Sequence, residues 1–117
     1  MGKFSSQLKK GSTPTLILSV LSGRPMYGYE IAKEIARLCG GRLGFKEGTL
    51  YPTLHLLERQ GLVAGRWQET SSARAGTPPR KYYTITEDGL RALAESAEEL
   101  RQFARALLSV VGEGANA

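Results

Sequence analysis

The chain has 117 residues, of which 41 % are hydrophobic and 23 % charged; that suits one small domain with little core to spare and is too apolar for a disordered chain. The formal net charge is +5, but Met1 to Lys81 holds 13 Lys+Arg against 5 Asp+Glu, whereas Tyr82 to Ala117 holds 3 against 6. A basic front with an acidic tail points the front at a polyanion.

Met1 to Lys10 is polar and basic. It lacks the apolar run of a signal peptide or membrane anchor, so a cytoplasmic location is expected. Thr13 reads as a helix cap and Pro14 as the first helical residue. Leu16, Ile17, Leu18, Val20 and Leu21 make this helix apolar nearly all round, so it should be buried. Gly23 and Pro25 end it, Gly23 by a left-handed conformation. A second helix is expected from Tyr27 to Leu38, with Ile31, Ala32, Ile35 and Leu38 inward and Glu30, Lys33, Glu34 and Arg37 paired outside. The single cysteine, Cys39, excludes an internal disulfide, has no metal ligands around it, and reads as a small buried hydrophobe. Gly40 and Gly41 terminate the helix.

A third helix falls within Lys46 to Gln60, with Leu50, Leu54 and Leu57 as its inner stripe. Pro52 should sit in or near its first turn, and Gly61 should cap its end. Leu62 to Trp67 and Arg80 to Ile85 read as two strands of a hairpin. Gln68 to Pro79, rich in Ser, Gly and Pro and bearing Arg74, is its flexible tip. Thr86 then caps a last helix running to about Val111, with Glu87 and Asp88 in the first turn.

Three helices followed by a hairpin describe a winged helix-turn-helix: a mainly α fold with a small β-hairpin. The second helix buttresses the third, and the third offers its outer face to the major groove. With the leucine stripe inward, Lys46, Thr49, Tyr51, Thr53 and His55 point outward or along the rim. That helix alone would serve equally as an ordinary amphipathic one. The hairpin tips the balance, because Arg66, Arg74, Arg80 and Lys81 gather there against Glu69 alone, as phosphate or minor-groove contact requires. An enzyme is not expected: His55 is the only histidine, no nucleophile or carboxylate pair accompanies it, and the glycines do not form a phosphate loop. The alternative is a winged helix for protein–protein docking without DNA, which calls for a neutral third helix and no basic wing.

In the last helix Leu90, Leu93, Ala97, Leu100, Ala104, Leu107 and Val111 follow a 3-4 spacing, a heptad seam over three repeats. Phe103 and Leu108 widen it, and Phe4 and Leu8 are expected to cover the widened part. The expected organisation is a winged helix-turn-helix with its N-terminal helix over 1–85, a homodimerisation helix over 86–111, and a disordered tail over 112–117.

Three stretches carry a family resemblance: Met26 to Ala32 (Met-Tyr-Gly-Tyr-Glu-Ile-Ala), Glu47 to Val63 (Glu-Gly-Thr-Leu-Tyr-Pro-Thr-Leu-His-Leu-Leu-Glu-Arg-Gln-Gly-Leu-Val), and Pro78 to Gly89 (Pro-Pro-Arg-Lys-Tyr-Tyr-Thr-Ile-Thr-Glu-Asp-Gly). In this order, and covering about Leu8 to Leu93, they resemble the PadR family of bacterial transcriptional regulators. The resemblance implies binding to double-stranded DNA, more often repression than activation, and homodimerisation through N- and C-terminal helices; the single C-terminal helix matches the short subfamily. The family's tyrosine near the start of helix two matches Tyr27 or Tyr29, which adds Tyr27 to the DNA-binding set. Its Thr-Leu-Tyr-Pro element matches Thr49 to Pro52, and its wing element matches Pro79 to Tyr83. It also implies a small hydrophobic or phenolic effector between the dimer halves. No cofactor is expected.

Overall fold

A computed structural model describes residues 11–42, 47–68 and 78–112. In chain order they form α1 (Thr13–Leu21), β1 (Met26–Tyr27), α2 (Gly28–Leu38), α3 (Glu47–Arg59), β2 (Val63–Trp67), β3 (Lys81–Ile85) and α4 (Glu87–Val111). Phe4, Leu8, Lys46 and Arg74, with most of the wing tip, lie outside the described residues.

The core is built as the leucine and isoleucine spacing requires. Ile17, Leu18, Val20 and Leu21 of α1 meet Ile31 and Ile35 of α2, Leu50, Leu54 and Leu57 of α3, and Met26, Val63 and Tyr83 of the sheet. Leu38 departs from expectation at 63 % exposed: it is the last residue of α2 and stands beyond the cluster that Ile31 and Ile35 enter. Cys39 is half-buried rather than buried, with its thiol 3.6 Å from the Ala36 carbonyl.

Several helix ends shift from the expected ones. Ser12, not Thr13, caps α1, and Pro14 is the second helical residue; Thr13 is buried within the first turn. Gly23 is not left-handed. The helix stops instead at Ser22, whose hydroxyl donates to the Ser19 carbonyl at 2.6 Å. Gly40, Gly41 and Gly61 do take positive φ, which only glycine adopts without steric cost. Pro52 sits at the sixth residue of α3, deeper than the first turn. Its missing N–H removes the bond that would run to the Gly48 carbonyl, still near the helix start.

The hairpin has the expected antiparallel pairing, with Gly65 opposite Tyr83, Arg66 opposite Tyr82 and Trp67 opposite Lys81. The sheet gains a third strand that apolar alternation did not signal. Met26 and Tyr27 pair with Tyr83 and Tyr82, giving the order β1-β3-β2. A two-residue strand is too short to show a period, and here it also delivers Tyr27 as the cap of α2.

Candidate nucleic-acid interface

Burial of Leu50, Leu54 and Leu57 turns the opposite side of α3 to solvent. Thr49, Pro52, His55, Leu56 and Arg59 are exposed there, while Tyr51 and Thr53 are half-buried. The Thr53 hydroxyl donates back to the Thr49 carbonyl at 3.0 Å, a common habit of threonine inside helices. The outward face is therefore more apolar and carries its charge later than Thr49, Tyr51, Thr53 and His55 alone suggested. Pro52, Leu56 and Arg59 were missed, although their spacing from the buried leucines places them at the centre of the outer face.

The wing divides its cations by strand alternation. Adjacent strand residues point to opposite faces, so Arg80 and Lys81 cannot do the same job. Lys81, Tyr83 and Ile85 share the face turned to α3; Arg66 and Tyr82, opposite each other, share the other. Lys81 accordingly reaches the helix, where its ammonium donates to the Glu58 carboxylate at 2.9 Å. It also lies 5.7 Å from the Trp67 ring centre and 5.5 Å from that of Tyr83. Gly65 leaves room for this pair, since a Cβ there would overlap the Lys81 stem and come within 3.0 Å of Glu58 Oε2. The bond from Glu58 holds the Lys81 amine above the ordinary lysine value. Lys81, expected as a phosphate ligand, is here ion-paired with Glu58 of the helix.

Arg80 remains exposed and is held differently. Its guanidinium lies 4.6 Å from the Tyr27 ring centre, within cation–π range. Tyr27 in turn meets Tyr82 edge-on at 5.4 Å and stacks on Tyr29 at 6.3 Å, with Lys33 5.7 Å from the Tyr29 ring. The Glu30 carboxylate accepts from the Tyr27 N–H at 3.2 Å and pairs with Arg24 at 3.5 Å, fixing the start of α2. Next to it, Gly28 has no space for a side chain because the Tyr51 phenol lies against it. Together Tyr27, Tyr51, His55, Trp67, Arg80 and Lys81 line much of a cleft of about 320 Å³ between α3 and the wing. Trp67, which the sequence places on a wing strand without a role, is 61 % exposed and lines the cleft.

The joint between this face and α4 is tight. The Thr86 N–H donates to the Leu62 carbonyl at 3.1 Å and its hydroxyl to the Gly61 carbonyl at 2.6 Å. The same hydroxyl oxygen accepts from the Gly89 N–H at 3.0 Å, capping α4. A Cβ on Gly89 would collide with the Leu62 backbone. Along α4, Ala92 and Leu93 are half-buried against the core, so Leu93, counted with the seam, contributes to its own fold. Ala97 is half-buried, and Leu90, Leu100, Phe103, Ala104, Leu107 and Val111 are exposed. Leu108 and Val110 join them, Val110 at 85 % exposed. Glu98 pairs with Arg101 at 3.4 Å and with Arg105 at 4.0 Å. Among the described residues no helix is long and apolar enough to cross a membrane.

Comparison with known proteins gives concordant findings. The family model described as the transcriptional regulator PadR-like family matches residues 17–95. The chain is 36 % identical over 92 residues to the transcriptional regulator Rv3488 of Mycobacterium tuberculosis, covering 79 % of this chain and 78 % of that one. It is 32 % identical over 90 residues to the transcriptional regulator YqjI of Escherichia coli, covering 77 % of this chain but only 40 % of that protein. A transcriptional regulator from Clostridium thermocellum superposes with a TM-score of 0.80 at 30 % identity, covering 91 % of this chain and 96 % of the other. A PadR family regulator from Eggerthella lenta superposes with a TM-score of 0.73 at 32 % identity, covering 92 % and 88 %.

Proposed function

The chain belongs to the PadR-like family of transcriptional regulators, and from that premise we propose that it acts in the cytoplasm as a homodimeric repressor bound to specific sites on double-stranded DNA. The observation that carries the reading is the solvent-facing side of α3 with the exposed Arg80 lining the cleft between that helix and the wing. Helix residues of this kind reach base edges, and wing arginines reach phosphates. Tyr27 holds Arg80 through its ring and itself lines the cleft beside α3. The exposed leucines, Phe103 and valines of α4 support pairing with a second copy, because a monomer rarely leaves so continuous an apolar face in water. Repression, and its relief by a small hydrophobic or phenolic effector held between the two copies, rest on the family.

The test is binding to duplex DNA, followed by fluorescence anisotropy between low and physiological salt. Each phosphate neutralised contributes about 0.9 to the slope of log affinity against log salt, so a steep loss is expected. Affinity that stays flat with salt overturns the reading.

A further inference from the structure

We infer that α3 recognises thymine methyl groups through Pro52 and Leu56, so that the DNA half-site carries thymine where these two side chains enter the major groove. The inference rests on the DNA-binding reading above and says which bases that face selects.

Pro52 and Leu56 are one helical turn apart and both exposed, Leu56 to 42 %. They form an apolar ridge on the side of α3 away from Leu50, Leu54 and Leu57. Pro52 and Leu56 themselves offer no side-chain hydrogen bonds, while the exposed Thr49 and His55 lie beside them. Proline has neither a side-chain donor nor an N–H, leucine has no polar atom, and the neighbouring Thr53 hydroxyl gives its proton to the Thr49 carbonyl. Glu58, two residues beyond Leu56, is ion-paired with Lys81. Arg59 follows the ridge at its C-terminal end, and Arg80 lines the cleft beside Tyr51 and His55 of the same helix. Such a surface is complementary to a duplex whose phosphates meet the arginines and whose base edges meet carbon.

Thymine alone presents a methyl group in the major groove. Cytosine and adenine present amino donors there, and against Pro52 and Leu56 those donors would lose water and gain no acceptor. The ridge therefore favours thymine by contact and disfavours amino-bearing edges by desolvation.

The experiment uses the whole protein and duplexes enriched by it from a random pool. Each enriched duplex is made with thymine, with deoxyuridine at the enriched thymines, and with deoxyuridine only outside the enriched positions. Losing one buried methyl corresponds to about fourfold in affinity. We expect the second duplex to bind on the order of tenfold more weakly than the first, and the third to bind like the first. Leu56→Ala and Pro52→Ala, both at exposed positions, should each shrink the thymine-to-uracil ratio by about fourfold while circular dichroism stays unchanged. Equal binding of thymine and uracil forms overturns the methyl inference and leaves DNA binding standing, as does a ratio untouched by both variants. A pool from which nothing is enriched overturns the DNA-binding reading itself.

Discussion

Arg80 and Lys81 are neighbours with the same charge and different contacts, and the consequence of that difference can be measured. Arg80→Ala should lower the salt slope of DNA binding by about 0.9, the share of one phosphate, with little change in melting temperature. Lys81→Met should leave the slope nearly intact and cost about 0.5–1 kcal/mol of stability, the range for a partly exposed ion pair. Equal slope changes for the two variants would mean that Lys81 leaves Glu58 when DNA arrives. Period-two alternation makes this division legible from two adjacent strand residues; the identity of the partner was not, because Glu58 lies 23 positions earlier and only the folded hairpin brings it near. Tyr83 supplies a second prediction. Its burial pushes the phenol above its ordinary value of 10.0, and the Glu58 bond raises Lys81 above 10.5. Both folded-state values exceed the unfolded ones, so both groups stabilise fully below pH 10 and lose that contribution as pH rises through the raised values. Thermal melts should therefore be insensitive to these groups from pH 7 to 9 and fall in the alkaline range, and Tyr83→Phe should soften that fall. A Tyr83→Phe melting profile identical to wild type from pH 9 to 11 would contradict this account.

Among the elements, glycines decide how closely helices sit. Gly89 lets the start of α4 rest on the Leu62 backbone, and Gly28 lets Tyr51 lie across the start of α2. Gly89→Ala meets a peptide group, which cannot swing away, and should cost about 1–3 kcal/mol or more in urea unfolding. Gly28→Ala meets a side chain, which can turn; it should cost less stability but displace Tyr51 from the cleft and weaken DNA binding. A Gly89→Ala protein as stable as wild type would show that α4 is not seated through this contact. Most elements were legible in the sequence, because leucine and isoleucine spacing fixes which face of a helix is buried, and Thr86 with its acids announces α4. Helix ends were less so. Thr13 and Gly23 are the right residue types for caps, but burial of Thr13 and the hydroxyl of Ser22 settle those ends from outside the local pattern. The outward face of α3 is half legible: Thr49 and His55 face outward as expected, whereas the types of Pro52, Leu56 and Arg59 suggest other roles.

At the scale of the whole molecule, α4 extends far beyond the core and leaves Leu100, Phe103 and Leu107 in solvent. A second copy would cover them. Leu100→Asp places an unpaired charge within that contact, at a cost of several kcal/mol. Light scattering after size exclusion should show a dimer for wild type and a monomer for the variant. The variant should keep its helical circular dichroism and lose tight DNA binding, because one copy alone spans too few base pairs for selectivity. A variant that stays dimeric would place the contact elsewhere on the chain. The joint at Thr86 gives this assembly a mechanical property. Only one residue separates β3 from α4, and it is bonded to Gly61 and Leu62 at the end of α3. A 25-residue helix is a rod about 37 Å long, and with so little slack at its root it works as a lever. Tilting the far end by roughly 6 Å turns the rod by about 10°, and the Thr86 bonds to Gly61 and Leu62 tie its root to the turn that follows α3. In a dimer joined along α4, a shift in the crossing of the two rods would therefore change the pitch between the two α3 helices without touching either one.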